Sequence, residues 1–268
     1  MEIQNHKVIG AELSITDKNT QVFQPGKLDT IIIHYTAGSS AKSSVASLSD
    51  PSVQASAHIV VGRDGIITQI VPFNIVAWHA GASQYGGRVG FNQFSIGIEI
   101  DNAGLLEKRG DKYYAWFGRA YEEKDVVAGI HRNEKTIRYW HAYTEKQIDV
   151  VEQLCRALIK TYNLKYILGH EEISPVRKVD PGPAFPLDKL RDKIFGGNRD
   201  ADVAEKAIRK EGIVNTNLLN IRADASTQAE KVAKPLLEGQ KVKILAAKDG
   251  WLRVSTEVTG WVSARYIT

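Results

Sequence analysis

Cysteine is nearly absent, since the chain of 268 residues contains only Cys155. A single thiol excludes a disulfide framework and a metal site of the CxxC type. Cys155 lies in a stretch where apolar residues recur at helical spacing, so we expect its side chain to be buried and unreactive. Burial of apolar side chains, 43% of the sequence, must therefore stabilise the fold.

Long apolar runs are missing as well. None approaches the roughly 18 residues that cross a bilayer, and the first residues are too polar for the apolar core of a signal peptide. We therefore expect synthesis in the cytoplasm, no visible signal peptide and no membrane partner. The net charge is only +4, which suits an anionic polymer or weak nucleic-acid contact and does not decide between them.

The sequence pattern changes near residue 212. Residues 28–190 alternate strand-like and helix-like patterns, whereas the chain after about 212 consists of short strands and turns. A glycine pair and a charged stretch lie between these regions. We predict a first domain over 1–195, a linker over 196–212 and a second domain over 213–268.

Three strand patterns organise the first domain. Thr30–Tyr35 is a continuous apolar run, typical of a strand that is buried on both faces. The turn at Arg63-Asp64-Gly65 separates two β-branched runs and predicts a hairpin. Alternation in the next strand, which ends at Asp101, places its isoleucines on one face and Gly97 and Glu99 on the other.

A helix is predicted from Thr144 to about Tyr162. Apolar residues recur there at helical spacing, Thr144 and Gln147 form a capping box, and Asn163 ends the pattern. A further strand then runs to His170. Strands alternating with helices predict an α/β domain with a central sheet flanked by helices.

Three candidate metal ligands lie at strand ends or in the loops after them: His34, His170 and Asp180. Prolines stiffen the loop that carries Asp180. A catalytic zinc ion takes three ligands of imidazole and carboxylate type and leaves one position for water. Each histidine alone would more often be a structural residue, so the pattern indicates a zinc hydrolase without establishing one.

Two further residues fit such chemistry. Glu99 lies on a strand of isoleucine and glycine, where burial of a carboxylate is costly unless it is used. It is a candidate general base, or else the partner of a core arginine. Lys178 lies two residues before Asp180, so extended backbone would point both side chains the same way, towards a developing oxyanion.

Five strings in order carry a family resemblance: IIIHYTAG, SAHIVVGRDG, AWHAG, SIGIEIDN and GHEEISPVRKVDPGPAF. Over about residues 28–190 the chain resembles the N-acetylmuramoyl-L-alanine amidase family, which is related to the peptidoglycan recognition proteins. The resemblance implies one zinc ion at His34, His170 and Asp180, water activation by Glu99 and oxyanion stabilisation by Lys178. Relatives that only recognise peptidoglycan replace a ligand, whereas all three positions are filled here.

The implied reaction is hydrolysis of the amide between N-acetylmuramic acid and L-alanine. A non-catalytic peptidoglycan-binding protein and a zinc peptidase that cuts stem peptides are the alternatives. We expect a monomer whose partner is peptidoglycan or its muropeptide fragments, not nucleic acid. It would act on the wall after lysin-type release or export, or recycle fragments in the cytoplasm.

Candidate substrate-binding residues are His79, Trp78 and Tyr35. For His79 the alternative is a loop histidine packed on tryptophan, and strand alternation makes His58 a structural residue. Residues 104–144 depart from the family pattern. Their aromatic side chains, Trp116 among them, suit a sugar or peptide platform, or a β-hairpin over the sheet, which we favour.

The C-terminal region resembles a bacterial Src-homology-3-like domain. Turn signals at Glu238-Gly239, Asp249-Gly250 and Thr259-Gly260 separate short alternating strands, a pattern typical of a small all-β barrel. Such a domain would bind the wall or shape the groove of the first domain.

Overall fold

The structure is a computed structural model that describes residues 1–195, 211–214, 216, 218–226, 228–248 and 251–256. The chain divides into two compact units, 1–196 and 197–268. Most of the predicted linker, residues 196–210, lies outside the described residues. None of the described helices combines the length and the apolar character that a membrane crossing requires.

The first unit combines short and long strands with helices. The strands are β1 (Ile3–Gln4), β2 (Lys7–Val8), β3 (Glu12–Leu13), β4 (Thr30–Tyr35), β5 (Ile59–Val61), β6 (Ile67–Gln69), β7 (Gln84–Tyr85), β8 (Arg88–Val89), β9 (Ser95–Ile100), β10 (Leu105–Arg109), β11 (Lys112–Tyr114), β12 (Ala120–Tyr121), β13 (Val126–Ile130), β14 (Ile137–His141) and β15 (Tyr166–Gly169). The helices are α1 (Ala41–Ser49), α2 (Glu145–Tyr162), α3 (His170–Ile173) and α4 (Leu187–Phe195), with 3₁₀ turns at Phe91–Gln93 and Glu123–Asp125.

A six-stranded sheet in the order β15-β4-β9-β5-β6-β3 organises this unit. The pairs β15-β4, β4-β9 and β9-β5 are parallel, whereas β5 and β6 form the predicted antiparallel hairpin. Apolar residues of α2 and α4 share one core with β4 and β9, and α1 packs against the cluster around Val60 and Ile70. The predicted central mixed sheet flanked by helices is confirmed.

Strand β9 presents two different faces. Ile96, Ile98 and Ile100 are fully buried in the main core. The alternate positions, Gly97 and Glu99, lie on the other face, as the period of two predicts. Parallel pairing of β4 with β9 sets His34 in register with Glu99, so two candidate site residues are neighbours across the sheet.

The region after Gly104 differs from the expected hairpin. It forms an antiparallel sheet in the order β12-β11-β10-β14-β13 with a small core of its own, which includes Leu106, Tyr113 and Val126. Trp140 is also buried, whereas Trp116 is 78% exposed. Tyr113 and Trp140 therefore pack against this second sheet, whereas Trp116 is open to solvent.

The second unit consists of short strands where it is described. These are β16 (Glu211–Ile213), β17 (Leu218–Leu219), β18 (Leu236–Leu237), β19 (Lys241–Lys248) and β20 (Trp251–Ser255), paired as β16-β19-β20 and β17-β18. Val214, Leu236 and Val242 form its core. The turn at Glu238-Gly239 is confirmed, with Gly239 at a φ of +81°. The predicted turns at 249–250 and 259–260 lie outside the described residues.

Candidate metal centre

Three ligand atoms converge at one end of the parallel strands. The Nδ1 atoms of His34 and His170 are 2.9 Å apart, and each lies 3.0 Å from Oδ2 of Asp180. All three residues are buried. His34 is near the end of β4, whereas His170 begins α3 instead of ending a strand as predicted, because the backbone turns into a helix directly after Gly169.

The donor set of this cluster fits a metal ion. His170 Nε2 lies 3.1 Å from the carbonyl oxygen of Ala80, which can only accept. Arg177 Nη2 lies further from this ring nitrogen, at 3.3 Å, and donates to the same carbonyl at 2.9 Å, so Nε2 carries the proton and Nδ1 a lone pair. Burial, and secondarily the neighbouring His170, lowers the pKa of His34 to about 4, so its imidazole is neutral at neutral pH. Tetrahedral bonds of about 2.0 Å place ligand atoms roughly 3.3 Å apart, close to the observed spacing.

Glu99 lies beside this cluster with one unsatisfied carboxylate oxygen. Its Oε2 is shielded from solvent and receives no hydrogen bond from any described residue. Burial, reinforced by the charge of Asp180, raises the pKa of Glu99 to about 8, while Lys178 acts in the opposite direction. No core arginine pairs with Oε2 within the described part of the chain, so the structural alternative for Glu99 lacks support.

A cleft of about 370 Å³ opens onto these residues. It is lined by the predicted ligands, by Glu99 and Lys178, and by the predicted substrate-binding residues Tyr35, Trp78 and His79. Trp78 is partly exposed, as a residue that contacts a ligand must be. His79 is buried and lies next to His34, with its Nδ1 3.0 Å from Nε2 of that ring. Substrate contact by these three residues stays a prediction.

His58 lies one layer further from the cleft. It is fully buried, its Nε2 donates to the carbonyl of Ile75, and its Nδ1 accepts from the backbone N–H of Gly97. Both ring nitrogens are thus engaged with backbone groups. This placement agrees with the structural role expected from strand alternation.

A second set of contacts holds the loop that carries Asp180. The backbone N–H of Glu171 donates to the carbonyl of Asp180 at 2.8 Å. Oε2 of Glu171 accepts from Gly182 N–H at 3.1 Å and from Nε2 of His131 at 2.6 Å. Sequence reasoning missed Glu171 and His131, although the position of Glu171 directly after a candidate ligand was an available signal.

Comparison with known proteins agrees with this arrangement. Residues 24–183 match the sequence model of the N-acetylmuramoyl-L-alanine amidases. The chain belongs to this family. Within the family match lie His34, Glu99, His170, Lys178 and Asp180. Residues 217–268 match the bacterial SH3 domain, as predicted for the C-terminal region.

Two curated relatives of this amidase chain come from Escherichia coli (strain K12). The 1,6-anhydro-N-acetylmuramyl-L-alanine amidase AmpD is 37% identical over 141 residues, 52% of this chain and 58% of AmpD. The N-acetylmuramoyl-L-alanine amidase AmiD is 33% identical over 196 residues, 69% of this chain and 60% of AmiD. The matches thus span less than two thirds of each relative's length.

A solved structure of a selenomethionine derivative of AmpD resembles the amidase chain in fold. The match has a TM-score of 0.51 and 26% sequence identity, and covers 72% of this chain and 99% of that chain. The mixed sheet with flanking helices is therefore shared with a protein of the same family.

Proposed function

We propose that the chain is a zinc-dependent amidase that hydrolyses the bond between N-acetylmuramic acid and the L-alanine of the peptidoglycan stem peptide. The observation that carries this proposal is the convergence of His34 Nδ1, His170 Nδ1 and Asp180 Oδ2 beside the unpaired carboxylate of Glu99. Family membership and the names of the relatives AmpD and AmiD, both amidases of this linkage, support it.

His34, His170 and Asp180 would hold the proposed zinc ion. When bound, it supplies Lewis-acid activation of water and of the amide carbonyl at neutral pH. The remaining chemistry belongs to side chains of this chain.

Glu99 is the proposed proton carrier. Its Oε2 takes a proton from the attacking water and returns it to the leaving nitrogen of L-alanine as the carbon–nitrogen bond breaks. A free carboxylate oxygen with no hydrogen-bond partner is available for both transfers. The cationic Lys178 lines the same cleft and stabilises the negative charge that develops on the carbonyl oxygen.

Product analysis tests this proposal. The full chain is incubated with a muramyl tripeptide with and without a chelator, and the products are identified by mass spectrometry. We expect an intact tripeptide with a free L-alanine amine, and loss of product when the chelator is present. Cleavage inside the tripeptide would instead identify a peptidase, and no cleavage at any zinc concentration would identify a binding protein.

Two substitutions separate catalysis from metal binding. Glu99→Gln is expected to keep the zinc content and reduce turnover by at least about a hundredfold, because it removes the proton carrier. Asp180→Ala is expected to lose zinc itself. Glu107→Gln, on the exposed part of β10, is the matched control and should leave the zinc content and the turnover unchanged. Wild-type turnover in Glu99→Gln would remove Glu99 from the mechanism.

A further inference from the structure

We propose that His79 is a positioning residue that fixes the proton of His34 on Nε2, so that Nδ1 of His34 is free to bind the metal, and that Gly97 provides the space this arrangement needs. The inference rests on the proposed zinc site and extends it, because it concerns the ring behind a ligand. Nothing in the sequence pattern marked either residue for this purpose.

A backbone carbonyl fixes the proton of His79. The carbonyl oxygen of Ser95 lies 3.2 Å from His79 Nε2 and can only accept, so this nitrogen of His79 carries the proton. An imidazole whose one proton lies on Nε2 has a lone pair on Nδ1. That lone pair faces Nε2 of His34 at 3.0 Å. Nε2 of His34 must therefore be the donor.

The proton on Nε2 determines what the opposite nitrogen of His34 presents. A neutral imidazole carries one proton, so Nδ1 of His34 is unprotonated where it meets His170 and Asp180. A fixed proton on the far nitrogen is the usual means by which proteins orient a histidine ligand. The Ser95 carbonyl thus fixes the proton of His79 on Nε2, and His79 in turn fixes the proton of His34 on Nε2.

The second histidine ligand is oriented more directly. His170 Nε2 meets the carbonyl of Ala80 at 3.1 Å, so one backbone acceptor fixes its tautomer. His34 has no such carbonyl among its described hydrogen bonds, and its Nε2 contacts His79 alone. His58 cannot substitute, because its own ring nitrogens bind Ile75 and Gly97. His79 therefore accepts from Nε2 of His34, just as the Ala80 carbonyl accepts from Nε2 of His170.

Gly97 explains how an imidazole fits at this position. A Cβ atom at residue 97 would lie 2.4 Å from Cγ, 2.6 Å from Nδ1 and 2.7 Å from Cδ2 of His79. Real Cβ atoms do not approach a ring so closely, so any larger residue would displace His79. Gly97 is not in a left-handed conformation, and the reason for glycine here is the close approach of the ring alone.

Paired substitutions of His79 provide the first test. His79→Phe keeps a planar ring but removes the acceptor, and we expect zinc affinity to fall by about 10- to 100-fold. His79→Asn supplies a carbonyl oxygen near the place of Nδ1, and should bind zinc within roughly threefold of wild type. Zinc dissociation constants are measured by competition with a chromophoric chelator, which requires no turnover.

Gly97→Ala provides the second test and leaves every polar group unchanged. The displaced His79 ring should weaken zinc binding to about the same extent as His79→Phe. Gly212→Ala is the matched control, because Gly212 also lies in a strand and its added Cβ would meet neighbours only at 3.4 Å or more. Unfolding of each metal-free variant by denaturant shows separately whether the fold is retained.

Nitrogen NMR of the metal-free chain tests the tautomer itself. We expect His34 to carry its proton on Nε2 in wild type and in His79→Asn, and to shift towards Nδ1–H in His79→Phe and Gly97→Ala. Unchanged tautomer and wild-type zinc affinity in folded His79→Phe would overturn the inference. If all variants follow expectation but none, wild type included, cleaves muropeptides, the proposed function fails and the role of His79 stands.

Discussion

An unpaired carboxylate is the most unusual side chain of the cleft. Burial of Glu99 without a hydrogen-bond donor to Oε2 disfavours its ionised form, because the carboxylate would lose its hydration and gain no partner. Its pKa of about 8, raised by burial and by Asp180, expresses that cost. A carboxyl group with so strongly shifted a pKa beside a candidate metal centre is typical of an active site, where reactive groups reduce folding stability.

The raised pKa predicts how the stability of metal-free protein changes with pH. Between the ordinary pKa of 4.5 and about 8, the folded chain holds a proton on Glu99 that the unfolded chain has lost. The free energy of unfolding therefore falls as pH rises through this window. Glu99→Gln removes the effect, so its stability advantage over wild type should grow by roughly 2 to 4 kcal/mol across the window.

Denaturant unfolding in the presence of a chelator, repeated from pH 4.5 to pH 8, measures this difference. Glu107→Gln serves as the control, because Arg109 lowers the pKa of the exposed Glu107 and its ionisation therefore causes no loss of stability as pH rises through the window. A constant difference between wild type and Glu99→Gln would show that Glu99 is ionised throughout in the folded chain.

Single residues were predictable only where a local rule applied. The cost of a carboxylate in an apolar strand singled out Glu99, and strand-end position singled out His34. Glu171 and His131 escaped because their hydrogen bond joins two distant segments and no local pattern reports it. The role we assign to His79 depends on a contact with Gly97 that only the folded chain shows.

At the scale of elements, the loop after α3 is held by packed neighbours in addition to its own backbone turns. Tyr143, from the end of the second sheet, donates from its hydroxyl to the carbonyl of Pro181 at 2.8 Å. Glu171 binds the backbone on both sides of this residue, at Asp180 and Gly182. The position of the carboxylate ligand is thus tied to the second sheet.

Tyr143→Phe tests this connection. The substitution leaves the buried Pro181 carbonyl without its donor, so the free energy of unfolding should fall by about 1 to 2 kcal/mol. Zinc affinity should fall several-fold while the product spectrum stays the same, because Asp180 is displaced and not removed. Tyr85→Phe, whose side chain is 42% exposed, is the control for loss of a hydroxyl. Unchanged zinc affinity would mean that Tyr143 stabilises the fold alone.

Elements with strong local signals were predicted well. Helix α2 begins at the capping box of Thr144 with Gln147 and ends at the left-handed Asn163, as expected. The short helix α1 was missed, because Ala41–Ser49 is rich in serine and has only a weak apolar stripe. The extra sheet after Gly104 was underestimated, since its aromatic residues suit either packing or ligand contact until burial is known.

At the scale of the whole molecule, each described hydrophobic core draws its residues from one unit. The four clusters of the first unit lie between Val8 and Leu190, and the cluster of the second contains Val214, Leu236 and Val242. Cores that share no side chains are expected to unfold independently. The amidase unit should therefore fold without the SH3 domain.

Truncation after Gly196 tests this expectation. The shortened chain should keep the thermal midpoint of the first unit, the zinc affinity and the turnover of soluble muropeptides. Cleavage of whole sacculi should fall at least about tenfold if the SH3 domain holds the enzyme to the wall by a second contact. Full-length chain carrying the remote substitution Glu107→Gln is the control. Reduced turnover of soluble muropeptides would instead indicate that the second unit shapes the groove.

The parallel pairing of β4 with its neighbours has a consequence for biosynthesis. His34 lies 136 residues before His170 and 146 before Asp180, so the ribosome has translated nearly the whole first unit before the ligand set exists. Strand pairs of such separation form late, because a long loop must close first. Nascent chains and early intermediates therefore lack the assembled candidate metal centre, and the topology delays that centre until translation of the first unit is nearly finished.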